Sequence, residues 1–314
     1  MKKIIMQLFV VIIFSHNVNA QFICSKLASA TISPEKVVSV VLSKDETFNE
    51  SLEKSIKLYW KKCKYEFVTV DEIVERGKAG DYYLVTQNTE GYGDMFFATT
   101  RFGISNKDLS KACEKYKKNK NIGGFVSYLI ASGDSDLVAA FLDPNLFYIK
   151  NANPVDLNNA ITLNIKTIDW LLTIDVTKYF YKGKVRGLTD NGPIPAYNSN
   201  SCELKKMTLL VSSSDTATGK YHSVYKSFDI NEFKKHYNGE VKIETPEKIK
   251  EYIENDTANK YALLVEGVSI NSPATLIIRL TDGAILFGAF VPNISVANHS
   301  YGPRMYAKFE QICR

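Results

Sequence analysis

Histidine is scarce, with four in 314 residues. One of them, His16, lies in an N-terminal leader. The other three, His222, His236 and His299, stand in neither HExxH nor HxH spacing, so a histidine-built metal centre is not expected. There is no GxSxG, hence no strand-to-helix turn that would present a serine nucleophile. Thr218-Gly219-Lys220 has Tyr221 where a phosphate loop needs Ser or Thr, and Ser214 where it needs glycine. Gly91-Tyr92-Gly93 lacks the third glycine of a dinucleotide loop and precedes a strand instead of a helix. Asp134-Ser135-Asp136 lacks the closing glutamate of a calcium loop and reads as a turn. No cofactor and no metal is expected.

Cysteine is also sparse. Cys24, Cys63, Cys113, Cys202 and Cys313 are far apart, which excludes a CxxC redox or zinc pattern. An odd count leaves at least one thiol over, and so low a density does not build a disulfide scaffold. Cys63 reads as core, and few or no bonds are expected. Neither sign of charge dominates. Lys and Arg number 39 against 34 Asp and Glu, too even for a nucleic-acid surface. The stretch 111–120 (KACEKYKKNK) is locally Lys-rich. It could serve as a phosphate or anionic-glycan patch, but the solvated face of a surface helix is favoured.

Long apolar runs are confined to the start of the chain. Lys2-Lys3, the run Ile4–Phe14 and the small-residue end Val18-Asn19-Ala20 have the order of a secretory signal peptide, with cleavage after Ala20. The run is too short to span a bilayer. The mature chain 21–314 then has 294 residues and a net charge of +3. Export to the periplasm or the extracellular space is expected.

What the remainder contains is α/β alternation, twice. Val37–Leu42 and Met207–Val211 read as buried strands. Polar turns follow at Ser43-Lys44-Asp45 and Ser213-Ser214-Asp215. Thr47 and Glu50 have capping-box spacing ahead of Phe48, Leu52, Ile56 and Tyr59. The second half has a helix over about 229–237, after a stretch 219–228 read as an inserted hairpin strand. Next come strands 65–68 and 240–243, helices opened by Thr69 and by Thr245-Pro246, and strands 81–86 and 260–265. Antiparallel strands 95–100, 275–280 and 284–288 complete the pattern. The last two are joined by Asp282-Gly283, a hairpin signal with both turn positions at positive φ.

Between the halves, a helix is expected from about Ser105 or Asp108 to Lys118, ended by Asn121-Ile122-Gly123-Gly124. A hairpin is expected from 125–131 and 137–142, and a helix after Pro154. The fold class is therefore α/β (α+β): two related lobes, each a mixed sheet of β-α-β-α-β type with an added antiparallel hairpin, and each enclosing its own apolar centre. The expected domains are an N-terminal lobe over 21–190, a linker over 191–203 and a C-terminal lobe over 204–314.

Ligands of open α/β sheets bind outside the carboxyl ends of the strands. There each half places a Ser-x-Asp, giving Ser43, Asp45, Ser213 and Asp215 as candidate ligand-binding residues. Turn formation and helix capping explain the same residues and are favoured. With no catalytic constellation in sight, the leading expectation is a non-catalytic binding or interaction module of the cell envelope. Its partner would be another protein, a glycan or a small solute, with no nucleic acid and no membrane-spanning segment after leader cleavage. Two alternatives stand beside it. One is a two-lobed solute receptor. The other is a hydrolase using a carboxylate or Cys–His site that the sequence does not localise.

Overall fold

Runs of β-branched and aliphatic residues form the strands, and capped amphipathic segments form the helices between them. The computed structural model describes residues 22–23, 32–90, 96–129, 136–141, 153–174, 201–216, 228–255, 259–267, 274–290 and 306–312. The first half contains β1 (Phe22–Ile23), β2 (Val37–Val41), α1 (Glu46–Tyr59), β3 (Lys64–Val68), α2 (Val70–Arg76), β4 (Tyr82–Glu90) and β5 (Phe96–Ile104). Then come α3 (Ser110–Asn119), α4 (Ile122–Leu129), β6 (Asp136–Phe141) and α5 (Pro154–Leu171). A 3-10 helix (Ser201–Lys206) leads into β7 (Thr208–Ser212), α6 (Ser213–Thr216), α7 (Ile230–Phe233), β8 (Glu240–Glu244) and α8 (Pro246–Asn255). The chain continues through β9 (Tyr261–Gly267), β10 (Ala274–Arg279), β11 (Ile285–Phe290) and a second 3-10 helix (Ala307–Gln311).

The strands make two mixed sheets. Their orders are β1-β6-β5-β4-β2-β3 and β11-β10-β9-β7-β8. In the first, β2 runs parallel to β3 and β4, while β4–β5 and β5–β6 are antiparallel. In the second, β7 runs parallel to β8 and β9, while β9–β10 and β10–β11 are antiparallel. Apart from the short β1, the two sheets share one topology, as the repeated signals predict.

Local chemistry sets the helix ends. Thr69 caps α2 in a full capping box with Glu72. Thr245 and Pro246 open α8 as expected, with the Lys248 N–H donating to the Thr245 hydroxyl. The α1 cap differs from expectation. Asp45 caps the helix by accepting from the Phe48 N–H at 3.0 Å, and both Thr47 and Glu50 are exposed inside it. A carboxylate one residue before the first turn out-competes a hydroxyl already within it. Asp45→Ala should therefore cost about 1 kcal/mol in a urea melt, whereas Thr47→Ala should stay within about 0.5 kcal/mol.

A second difference concerns 121–129. Lys120, at φ +53°, ends α3, and the Gly pair lies in the first turn of another helix, where the Asn121 side chain accepts from the Gly124 N–H. The expected strand from Phe125 is α4, with Phe125, Val126 and Leu129 buried at helical spacing. The Asp282-Gly283 turn also departs from expectation, since only Gly283 has positive φ, +77°. The predicted Gly91-Tyr92-Gly93 turn, the strand at 219–228 except Phe228, the leader and most of the 191–203 linker lie outside the described residues.

The two lobes do not each enclose a private core. The largest apolar cluster joins Val38, Val40, Leu84 and Phe102 of the first sheet to Leu210, Leu263, Leu276 and Ile278 of the second, through α1, α5 and α8. A second cluster packs α2, α3 and α4 on the far face of the first sheet. A third packs α7 and both 3-10 helices on the far face of the second. The layers therefore run helix, sheet, helix, sheet, helix. The faces that meet are not equivalent. The first sheet contributes the side of its first crossover helix, α1, and the second sheet the side of its second crossover helix, α8.

The centre is α5, a helix buried on nearly every side, including Asn159, Thr162, Asn164, Lys166 and Thr167. Lys166 is 5% exposed, and its Nζ donates to Ile253 O at 2.9 Å and Leu280 O at 2.8 Å. The ammonium also lies over the Tyr59 ring, 4.4 Å from its centroid. Thr167 Oγ1 donates to Gly283 O at 3.0 Å. One turn of α5 thus holds the last turn of α8 and the β10–β11 turn together. Among the described residues, no helix is long and apolar enough to cross a membrane.

Candidate functional site

The carboxyl ends of β2 and β7 are the edges where the repeated Ser-x-Asp falls. At the first edge the polar groups satisfy one another. The Ser43 N–H donates to Asn49 Oδ1, and Asn49 Nδ2 donates back to Ser43 O. The Ser43 hydroxyl accepts from the Asp45 N–H at 3.0 Å, and Asp45 caps α1. These residues close a turn, and their principal polar atoms already have partners.

The second edge is built differently. Ser213 begins α6, Ser214 follows, and the Ser214 hydroxyl donates to Asp156 Oδ2 at 2.7 Å. Asp156 is in the first turn of α5, where its charge complements the helix dipole. Burial nevertheless pushes its carboxyl above the usual range, Ser214 opposes the shift, and the charge of Glu247 in the first turn of α8 adds to it. Asn159, one turn further along α5, donates to Pro246 O. Its Oδ1 is buried and unpartnered. The structure therefore places Asp156 beside the expected Ser213 and Asp215 segment, a residue that no local motif signals. The Asp215 side chain lies outside what is described.

A raised carboxyl has a defined consequence. Its neutral form is favoured in the folded chain relative to the unfolded one, so the folded state gains stability as pH falls through the folded pKa. Asp156→Asn keeps an acceptor for Ser214 and removes the buried charge. It should leave the protein at least as stable at pH 7, within about 1 kcal/mol. The difference should shrink as pH drops below the folded pKa, as denaturant melts over a pH series would report. A larger loss at pH 7 would mean the charge itself holds α5 in place.

Other titratable groups have structural partners. Asp169, also raised by burial, accepts from the Lys61 N–H at 3.3 Å. The Cys63 thiol is raised by burial and is free. His236 Nδ1 lies 2.7 Å from Glu310 Oε1, tying the second 3-10 helix to the turn after α7. His222, His299 and Asp134-Ser135 lie outside the described residues. Among the described residues no group of three or more His, Cys, Asp or Glu could hold a metal ion.

Between α1 and α8 lies a shallow crevice with a cavity volume of about 10 Å³, floored by Asn158 and Thr162 of α5 and lined by Lys54, Leu58, Tyr59, Lys250 and Glu254. Ser55 and Thr162 share a hydrogen bond of 2.9 Å within it. Lys54 and Glu254 pair across it at 3.1 Å. It falls below the size of most small-molecule sites, roughly 300–1,000 Å³.

Cys63 and Cys113 are free, while Cys202 is disulfide-bonded. With two of the five cysteines free, one bond within the chain follows, inside the expectation of few or no bonds. Searches against protein-family models, curated proteins and solved structures find no match to this chain.

Proposed function

We propose that this chain is an exported protein of the cell envelope that acts by binding at its surface and not by catalysis. The observation that carries the reading is α5. It fills the space between the sheets with apolar side chains, and Lys166 and Thr167 fix the second lobe against it. A two-lobed receptor needs a cleft that closes on its solute. Here the lobes share one core, and the crevice at its margin is already bridged by an ion pair. The disulfide at Cys202 supports export, because such bonds persist in oxidising compartments.

Two measurements test this. The purified mature chain, unfolded without reductant, should titrate three thiols of its five cysteines. Five thiols in protein recovered from its native compartment would remove the argument for export. Small-angle scattering, run alongside a thermal-shift screen of envelope sugars and peptides, should show ligands that raise the melting temperature without contracting the particle. Contraction on binding would favour the receptor.

A further inference from the structure

The face formed by α3 and α4 carries a charge pattern that the core does not need. Within 104–128 there are six lysines, Lys107, Lys111, Lys115, Lys117, Lys118 and Lys120, against Asp108 and Glu114. That local net of +4 exceeds the +3 of the whole mature chain. Ala112, Cys113 and Tyr116 face inward. Lys111, Lys115 and Lys118, at helical spacing, therefore form one outward stripe, and all six lysines are exposed. Among the described residues, Lys107, Lys111, Lys117 and Lys118 stand in no side-chain hydrogen bond or close ion pair, and Lys111 acts on Asp108 through its charge alone. Beside the stripe stands Tyr128, 44% exposed, with the Lys115 ammonium 5.6 Å from its ring centroid. The Asn106 N–H donates to Leu129 O, and Asn106 Nδ2 to Tyr128 O, which brings Ile104, also 44% exposed, to the same corner.

We infer that this face docks an anionic polysaccharide, with the lysine stripe along its charges and Tyr128 as an apolar platform for a sugar ring. The inference rests on the envelope-binding reading and names its ligand class. Charge complementarity favours a linear polyanion over a flat anionic bilayer. The neighbouring α2 exposes Asp71, Glu72 and Glu75, and Lys120 is paired to Asp71 at 2.8 Å. A plane of lipid headgroups covering the lysines would press on those carboxylates as well. A single chain lying along α3, about 15 Å long, avoids them.

The test is equilibrium binding of the full mature chain to polygalacturonate, dextran sulfate, neutral dextran and phosphatidylglycerol-rich vesicles over a salt series. Both acidic polysaccharides should bind, neutral dextran should not, and affinity should fall steeply with salt. The triple variant Lys111→Gln, Lys115→Gln, Lys118→Gln should weaken binding by roughly tenfold to a hundredfold and flatten the salt dependence. Lys205→Gln with Lys206→Gln, exposed lysines on the first 3-10 helix, should change it little. Tyr128→Ser should weaken polygalacturonate binding several-fold. All these positions are exposed, and unchanged melting curves will confirm that the variants fold. Vesicle binding without polysaccharide binding, or equal losses in the triple variant and the Lys205/Lys206 control, would overturn the inference. The thiol titration bears on export alone, so failure of this docking is distinguishable from failure of the envelope reading.

Discussion

Gly283→Ala should destabilise the protein by about 3–5 kcal/mol, from two costs that add. The residue sits at φ +77°, where a side chain strains the backbone by about 1–3 kcal/mol. An added Cβ would also lie 2.4 Å from the backbone carbon of Lys166 and 2.4 Å from the backbone nitrogen of Thr167. Those atoms belong to a fully formed helix at the centre of the shared core, so the turn has to move. Its withdrawal would break the Thr167–Gly283 hydrogen bond and pull Leu280 away from Lys166. Urea denaturation should show a lower midpoint. A loss below about 1 kcal/mol, typical of surface substitutions, would mean that the turn is not held against α5.

Lys166→Met should cost about 2–4 kcal/mol, although methionine is close in length and carries no charge to bury. The ammonium supplies donors to Ile253 O and Leu280 O. Leaving two buried carbonyls without donors costs about 1–3 kcal/mol each, offset in part by relief of the cation's desolvation. Lys166→Ala should cost more, because a cavity joins the lost bonds. A methionine variant as stable as the parent would show that the cation's burial cancels what its hydrogen bonds contribute. The Gly283 and Lys166 substitutions disturb the same contact, so a double variant should lose less than the sum of the two. Additive losses would separate the turn from the lysine.

Much of the fold was legible because local and global preferences agree. Val37–Val41 and Thr208–Ser212 are strands by their apolar runs, and Thr69 and Thr245-Pro246 open helices where backbone N–H groups need partners. Where competing local signals met, the reading failed. Phe125–Leu129 is an apolar run that suits strand or helix, and the Asn121 side chain decides for helix by capping it. At Asp45, by contrast, the structure shows the favoured reading of turn and cap, with the carboxylate capping α1.

The shared core was hidden for a different reason. A helix buried on one side shows an apolar stripe. Buried all round, α5 still carries Asn159, Thr162, Asn164, Lys166 and Thr167, whose hydrogen bonds reach residues 80 or more positions away in several cases. The Asp156–Ser214 contact spans 58 positions and leaves no trace in either local pattern. The first-edge residues Ser43 and Asp45 were found by the rule for strand ends, but that rule does not reveal that their groups are already spoken for.

The two lobes meet through unlike faces, and this bears on how such a molecule could arise. A unit that joins its copy front to back, unlike a two-fold dimer, leaves one front and one back open and invites a third copy. Growth of that kind ends only if both outer surfaces are covered by something that is not another unit. Here α3 and α4 close one end, and the paired 3-10 helices with α7 close the other. Stripped of both covers, the protein should become the monomer of a fibre.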